Sequence, residues 1–312
     1  MNFKSLLVAL LATSVGFVAN AQETTTGETK VKVEGQNTVE GNLDNEITNA
    51  KMRAESGSKS KFSASIGVGY SGGSLEDPGA DSRLDLLGGD NLEQVDLNIG
   101  LKGRMRLNKN TSMTAGIGTN IVQPFHGNRG DQDEYVDKIE VANPNIGIST
   151  YSRKGDLMVS YAAGLTYYTS EQATDIGFLM TPSVSATALY DFKNGFQTGI
   201  VGEFYVNFID GRDLGVNIPD FNFGVHPFME YAINDTFNLR TIWNFGLNHS
   251  RYSQADGSHW NNGKTRQSFG IGIAATRDIF LYPNVQISTR DFYADASFER
   301  STVGFTATIN AF

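Results

Sequence analysis

Residues 95–107 read VDLNIGLKGRMRL. Val95, Leu97, Ile99, Leu101, Met105 and Leu107 share one parity, while Asp96, Asn98, Gly100, Lys102, Arg104 and Arg106 share the other. Successive side chains of a β-strand point to opposite faces, so the stretch presents an apolar face and a polar one carrying three cations. Alternation of this length suits a strand with one face in hydrocarbon and the other towards a polar interior. Through residues 61–312 the period recurs in about twelve segments of about 10–14 residues, with connections that run alternately long and short. The expected fold is all-β, a membrane-spanning antiparallel up-and-down barrel of about 12 strands.

Upstream of the first strand the chain changes character. Lys4, an apolar run from Leu6 to Phe17 and the small-residue site Val18-Ala19-Asn20-Ala21 predict a signal peptide over residues 1–21, cleaved before Gln22. No cysteine occurs, so neither disulfides nor a lipid anchor on a cysteine is expected. After residue 21 no apolar run is long enough for a membrane helix. The formal charge of −9 argues against a nucleic-acid surface, which needs a basic patch. Residues 22–60 are polar and predict a flexible extension. Within it Leu43, Ile47, Ala50 and Ala54 recur at helical spacing between a capping Asn42 and a terminating Gly57, which predicts a helix over 43–56. That helix reads either as a marginal element of a linker or as a plug in or under the barrel mouth.

Turn lengths convert the alternation into a register. A three-residue turn Asn234-Asp235-Thr236 keeps the even residues of both flanking strands inward, setting Glu230 opposite Arg240 and His226 opposite Asn244. A four-residue turn at Arg153–Asp156 satisfies the opposite parity of its two strands. Pro144 removes a ladder bond and predicts a strand end or a bulge. With an even strand count both termini lie at the short-turn end, and the 20 Phe and 12 Tyr suit aromatic girdles at the two interfaces.

The signal peptide, the strand pattern of residues 60–312 and a terminal Phe312 resemble a Gram-negative outer-membrane β-barrel. The resemblance implies short periplasmic turns, long extracellular loops, and a surround of outer-membrane lipid and lipopolysaccharide. It also implies delivery by periplasmic chaperones to the barrel-assembly machinery, with Phe312 as the assembly signal. One feature departs from the usual pattern. Val303, Phe305, Ala307, Ile309 and Ala311 are odd, so Phe312 falls out of phase, as a bulge or a weakened signal would leave it. No motif marks an individual porin family.

The candidate lumen-lining residues are Asp96, Lys102, Arg104, Arg106, Glu203, Tyr205, His226, Glu230, Arg240 and Asn244. They read either as charges that satisfy one another across the lumen or, for Lys102-Arg104-Arg106, as a basic stripe attracting small anions. A barrel of this size has a lumen between the filled core of eight strands and the wide channel of sixteen. Catalysis finds little support. A Ser nucleophile needs a His base within reach, yet His249 and Ser250 are neighbours whose side chains point to opposite faces, and His249 reads as an interfacial residue. Asp210 and Asp213 read as solvated loop carboxylates, and no calcium-loop spacing occurs, so no catalytic residue, cofactor or metal is assigned. The leading expectation is a narrow channel for small polar, even anionic, solutes. The alternatives are a non-conducting structural or adhesive barrel and, third, a lipid-modifying enzyme.

Overall fold

A strand whose side chains alternate between lipid and lumen needs a hydrogen-bonded neighbour on both edges, and only a closed ring supplies that throughout. The computed structural model has such a ring, and describes residues 49–56, 60–84, 92–125, 139–175, 177–210, 219–250, 258–262, 265–288 and 297–311. In chain order the first strands are β1 (Phe62–Ser74), β2 (Ser82–Leu84), β3 (Leu92–Gln94), β4 (Asp96–Arg106) and β5 (Thr111–Val122). Then come β6 (Ile139–Lys154), β7 (Leu157–Tyr167), β8 (Phe178–Asp191), β9 (Phe196–Val206) and β10 (Phe208–Ile209). The last are β11 (Pro219–Ala232), β12 (Phe237–Ser250), β13 (Trp260–Asn262), β14 (Arg266–Ala274), β15 (Ile279–Ser288) and β16 (Thr302–Asn310). Three short helices are α1 (Ala50–Glu55), α2 (Glu171–Asp175) and α3 (Ser297–Arg300).

Twelve of these strands form the ring β1-β4-β5-β6-β7-β8-β9-β11-β12-β14-β15-β16, antiparallel throughout, and β16 returns to β1. The small strands β2 and β3 pair with each other, β10 with β8, and β13 with β12. Phe62 of β1 and Asn310 of β16 lie at the end that also carries the tight turns, called the turn end below. Asn37–Phe312 form one compact unit; the other, Met1–Gln36, lies outside the described residues. The signal-peptide stretch, Leu43, Ile47, Asp213 and Phe312 also lie outside them.

Two turns test the register. Ile233 N–H donates to the Phe237 carbonyl, leaving the three-residue turn 234–236, and Glu230 pairs with Arg240 as the parity requires. The β6–β7 turn is shorter than expected: Lys154 pairs directly with Leu157, so only Gly155 and Asp156 turn. Gly155 has φ +62, the left-handed backbone that a two-residue hairpin turn demands. Two and four are both even, so the side-chain parity survives the correction.

Pro144 sits in a bulge. Gly116 pairs with Asn145 and Gly118 with Ala142, so Ile117 alone opposes both Asn143 and Pro144. Asn143 has φ +55, and its side-chain oxygen accepts from the Thr169 and Ser170 N–H groups across the β7–α2 connection. The extra residue reverses the phase of β6: Ile139 and Val141 are exposed on one side of the bulge, Ile146 and Ile148 on the other.

The outer face is a belt of exposed apolar side chains, Leu101 at 54% and Val184 at 54% among them. Water would make such a belt an aggregation surface, whereas hydrocarbon makes it the solvent-facing side. Aromatic clusters mark both margins. Tyr190, Phe192 and Phe196 pack edge-on or tilted at the turn end, and Phe204, Phe221, His249 and Trp260 cluster at the other.

Candidate functional site

The lumen wall is built from inward residues of three kinds. Around β1, β4 and β5 the register row Gly67–Gly100–Gly118 removes side chains altogether, and Gly147 pairs with Gly164 on β6 and β7. These positions leave a cavity of about 520 Å3, lined in part by Ser65, Lys102, Arg104, Thr114, Asn145 and Ser149. On the far wall Glu203, Tyr205, His226, Asn244 and Arg266 line a smaller cavity of about 230 Å3.

The second kind is paired charge. Arg240 Nη1 lies 2.6 Å from Glu230 Oε2, both side chains being only 6% exposed, and the guanidinium stacks over Phe228 at 5.1 Å. His226 Nε2 lies 2.8 Å from Glu203 Oε1, and the Tyr205 hydroxyl also bonds that carboxylate. Sequence parity sets His226 opposite Asn244, and the β11–β12 register agrees, but the bonded partner is Glu203 on the other neighbouring strand. Gly224 makes the room, because a methyl there would collide with both side chains. Asp96 sits at the end of β4 away from the turns and accepts from the Asn98 amide.

The third kind is apolar, at inward positions where the alternation predicts a polar interior. Met158, Leu189, Phe228 and Ile242 all face inward and, with Gly199, form one continuous register row across β7, β8, β9, β11 and β12. Met158, Leu189 and Phe228 pack as a buried cluster near the turn end, and Phe280 and Tyr282 of β15 belong to a second. Glycines again face the rings: a methyl at Gly199 would strike Phe228, at Gly270 Tyr282, and at Gly272 Phe280. Apolar side chains on the inward parity, all close to tight turns, were visible in the sequence as phase errors. A lumen filled with water gives them no reason to exist.

What they pack against is α1. Its Met52 joins the first cluster, and Ala50 and Ala54 join the second. The N-cap is Asn49, whose side-chain oxygen accepts from Met52 N–H while its amide donates to Gln197 (2.9 Å) and Glu230 (3.1 Å). At the other end Arg104 donates to the Glu55 carbonyl, Arg106 to that of Ser56 (3.4 Å) and Asn310 to that of Ala54 (2.7 Å). The last carbonyls of a helix lack intrahelical partners and carry its negative dipole end, so arginines suit them. Two of the three cations in the predicted basic stripe therefore bond α1. Lys102 is exposed on the same wall. In the ring, β11 lies six strands from β4, which is diametrically opposite. The helix thus spans the lumen from wall to wall. The sequence predicts the helix over 43–56 with Asn42 as its cap; the described one begins after Asn49, and Asn42, 43–48 and Gly57 lie outside the described residues.

His249 faces outward, stacked on Phe221 at 4.4 Å with Nδ1 3.5 Å from Asp220. Neither His249 Nδ1 nor Ser250 Oγ makes a hydrogen bond, so the pair has no nucleophile–base contact through these atoms. Among the described residues no group of three or more His, Cys, Asp or Glu could hold a metal ion.

No protein-family model and no curated protein matches this sequence. Solved structures do. An outer-membrane channel from Pseudomonas putida F1 aligns at TM-score 0.50 and 10% identity, over 81% of this chain and 96% of that one. The fold is that of a porin-like β-barrel, as in that channel. The NanC porin (TM-score 0.43, 14% identity, 80% and 98% coverage) and OmpF of Salmonella typhi in complex with daunomycin (0.38, 8%, 80% and 96%) are more distant in shape. At these identities the likeness of the barrel extends to its strands, and the lumen must be read from its own residues.

Proposed function

We propose that this barrel is an outer-membrane channel of narrow aperture for small polar solutes, anions among them. The observation that supports it is the cavity of about 520 Å3 behind the glycine rows, into which Ser65, Thr114, Asn145 and Ser149 bring polar groups and which Lys102 faces. Glu203 is paired with His226 and Glu230 with Arg240, and beside the larger cavity the two cations Lys102 and Arg104 outnumber the one carboxylate, Glu55 of α1. The channel of Pseudomonas putida F1 lends the reading a precedent in shape. Outside the barrel, lipid and lipopolysaccharide would meet the apolar belt, and the assembly machinery would act on Phe312.

Planar-bilayer recording of purified protein tests this. Discrete conductance steps are expected, and Lys102→Glu should move the reversal potential in a salt gradient towards cations. Folded protein that never conducts, with α1 in place or expelled, overturns it. The position of α1 across the lumen favours a second reading, a sealed structural or adhesive barrel that works through its loops. That reading predicts silence in both states.

A further inference from the structure

We infer that α1 is the closure of the turn end of the lumen, and that the inward apolar row on β7, β8, β11 and β12 is its seat. The inference rests on the channel reading above and adds its regulation. Three observations support it together. The row is apolar between polar inward neighbours such as Ser160, Thr187, Glu230 and Arg240, and its packing partner from outside the wall is Met52. The ties at the two ends of α1 differ in kind from the seat: Asn49 reaches Gln197 and Glu230 through its amide, and Arg104 and Arg106 hold backbone carbonyls. Six residues of helix rise about 9 Å, and with long side chains reaching from both walls this bridges the lumen between β11 and β4.

A wall that stays apolar while facing a pore excludes water, so removing the bar changes what the wall meets. With α1 seated the row is a packed core. With α1 displaced it becomes a hydrophobic collar around an aperture. Residues 57–61 join Ser56 to Phe62, and five residues reach at most about 18 Å, enough for α1 to leave its seat while β1 stays paired. The seat is only partly apolar. The Asn49–Glu230 contact depends on Arg240 holding the same carboxylate, so the latch and the wall share one ion pair.

The test uses the full chain, which has no native cysteine. Met52→Asp places a carboxylate in the seat and Ala54→Asp a second against Phe280 and Tyr282, and together they should expel α1. Val201→Cys, at the margin of the row, then reports through a water-soluble thiol reagent. Labelling of the cysteine at 201 should rise at least ten-fold in the expelled background, and single-channel conductance should rise at least ten-fold with it. A Met52→Cys/Leu189→Cys pair, oxidised, should hold conductance at the seated level, and reduction should release it. Heat-modifiable migration on gels shows that each variant is folded. Equal labelling in both backgrounds overturns the inference, as does unchanged conductance in a protein that does conduct. New labelling without any conductance supports α1 as the cover and overturns the channel reading instead.

Discussion

Leu189 and Ser185 stand on the same face of β8, four residues apart, and both point into the barrel. Leu189 is fully buried against Met158 and Phe228, with Met52 packed on the cluster. Ser185 is half-buried and pairs with Ala162 on one side and Glu203 on the other. The turn end of this lumen is therefore organised like the interior of a soluble protein, around α1, and the middle like the wall of a vessel. Which regime a position belongs to depends on whether another segment of chain reaches it. The strand itself does not decide.

The largest effect should come from the buried ion pair that serves both regimes. Arg240→Leu leaves the enclosed Glu230 carboxyl without its counter-ion and should lower barrel stability by about 3–5 kcal/mol, read as a lower urea midpoint for loss of the heat-modifiable band. Next in size, Leu189→Ala removes a side chain from a packed cluster and should cost about 2–5 kcal/mol. Ser185→Ala on the same face should change stability by less than about 0.5 kcal/mol; equal losses at the two sites would erase the distinction. Leu101→Arg, mid-strand on the lipid face, should cost about 2–4 kcal/mol. Lys102→Ala, its neighbour facing the cavity, should leave stability within about 0.5 kcal/mol while weakening anion preference in bilayer recordings.

The barrel was legible because alternation is a local property, and twelve repetitions of it leave one closed architecture. The Glu230–Arg240 pair was legible for the same reason, since a three-residue turn carries parity from β11 to β12. The Glu203–His226 pair was not. The connection from β9 to β11 is not a tight turn, so no parity passes through it, and the contact is diagonal across the ladder. Pro144 announced its bulge, because a residue without an N–H has few places in a ladder. The seat of α1 was written as exceptions to the alternation, at Met158, Leu189, Phe228, Phe280 and Tyr282. Exceptions carry no address, and which segment they receive depends on three-dimensional closure.

The tie from Asn310 to the Ala54 carbonyl joins the last strand to the helix that precedes the first. β1 and β16 are also the two strands whose pairing completes the ring. Because five residues separate Ser56 from Phe62, the helix arrives at the seam together with β1. Closing the seam between β1 and β16 therefore also brings the carboxyl end of α1 onto β16. A variant that cannot seat the helix would be expected to hesitate at that moment, accumulating as an unsealed cylinder before any question of transport arises.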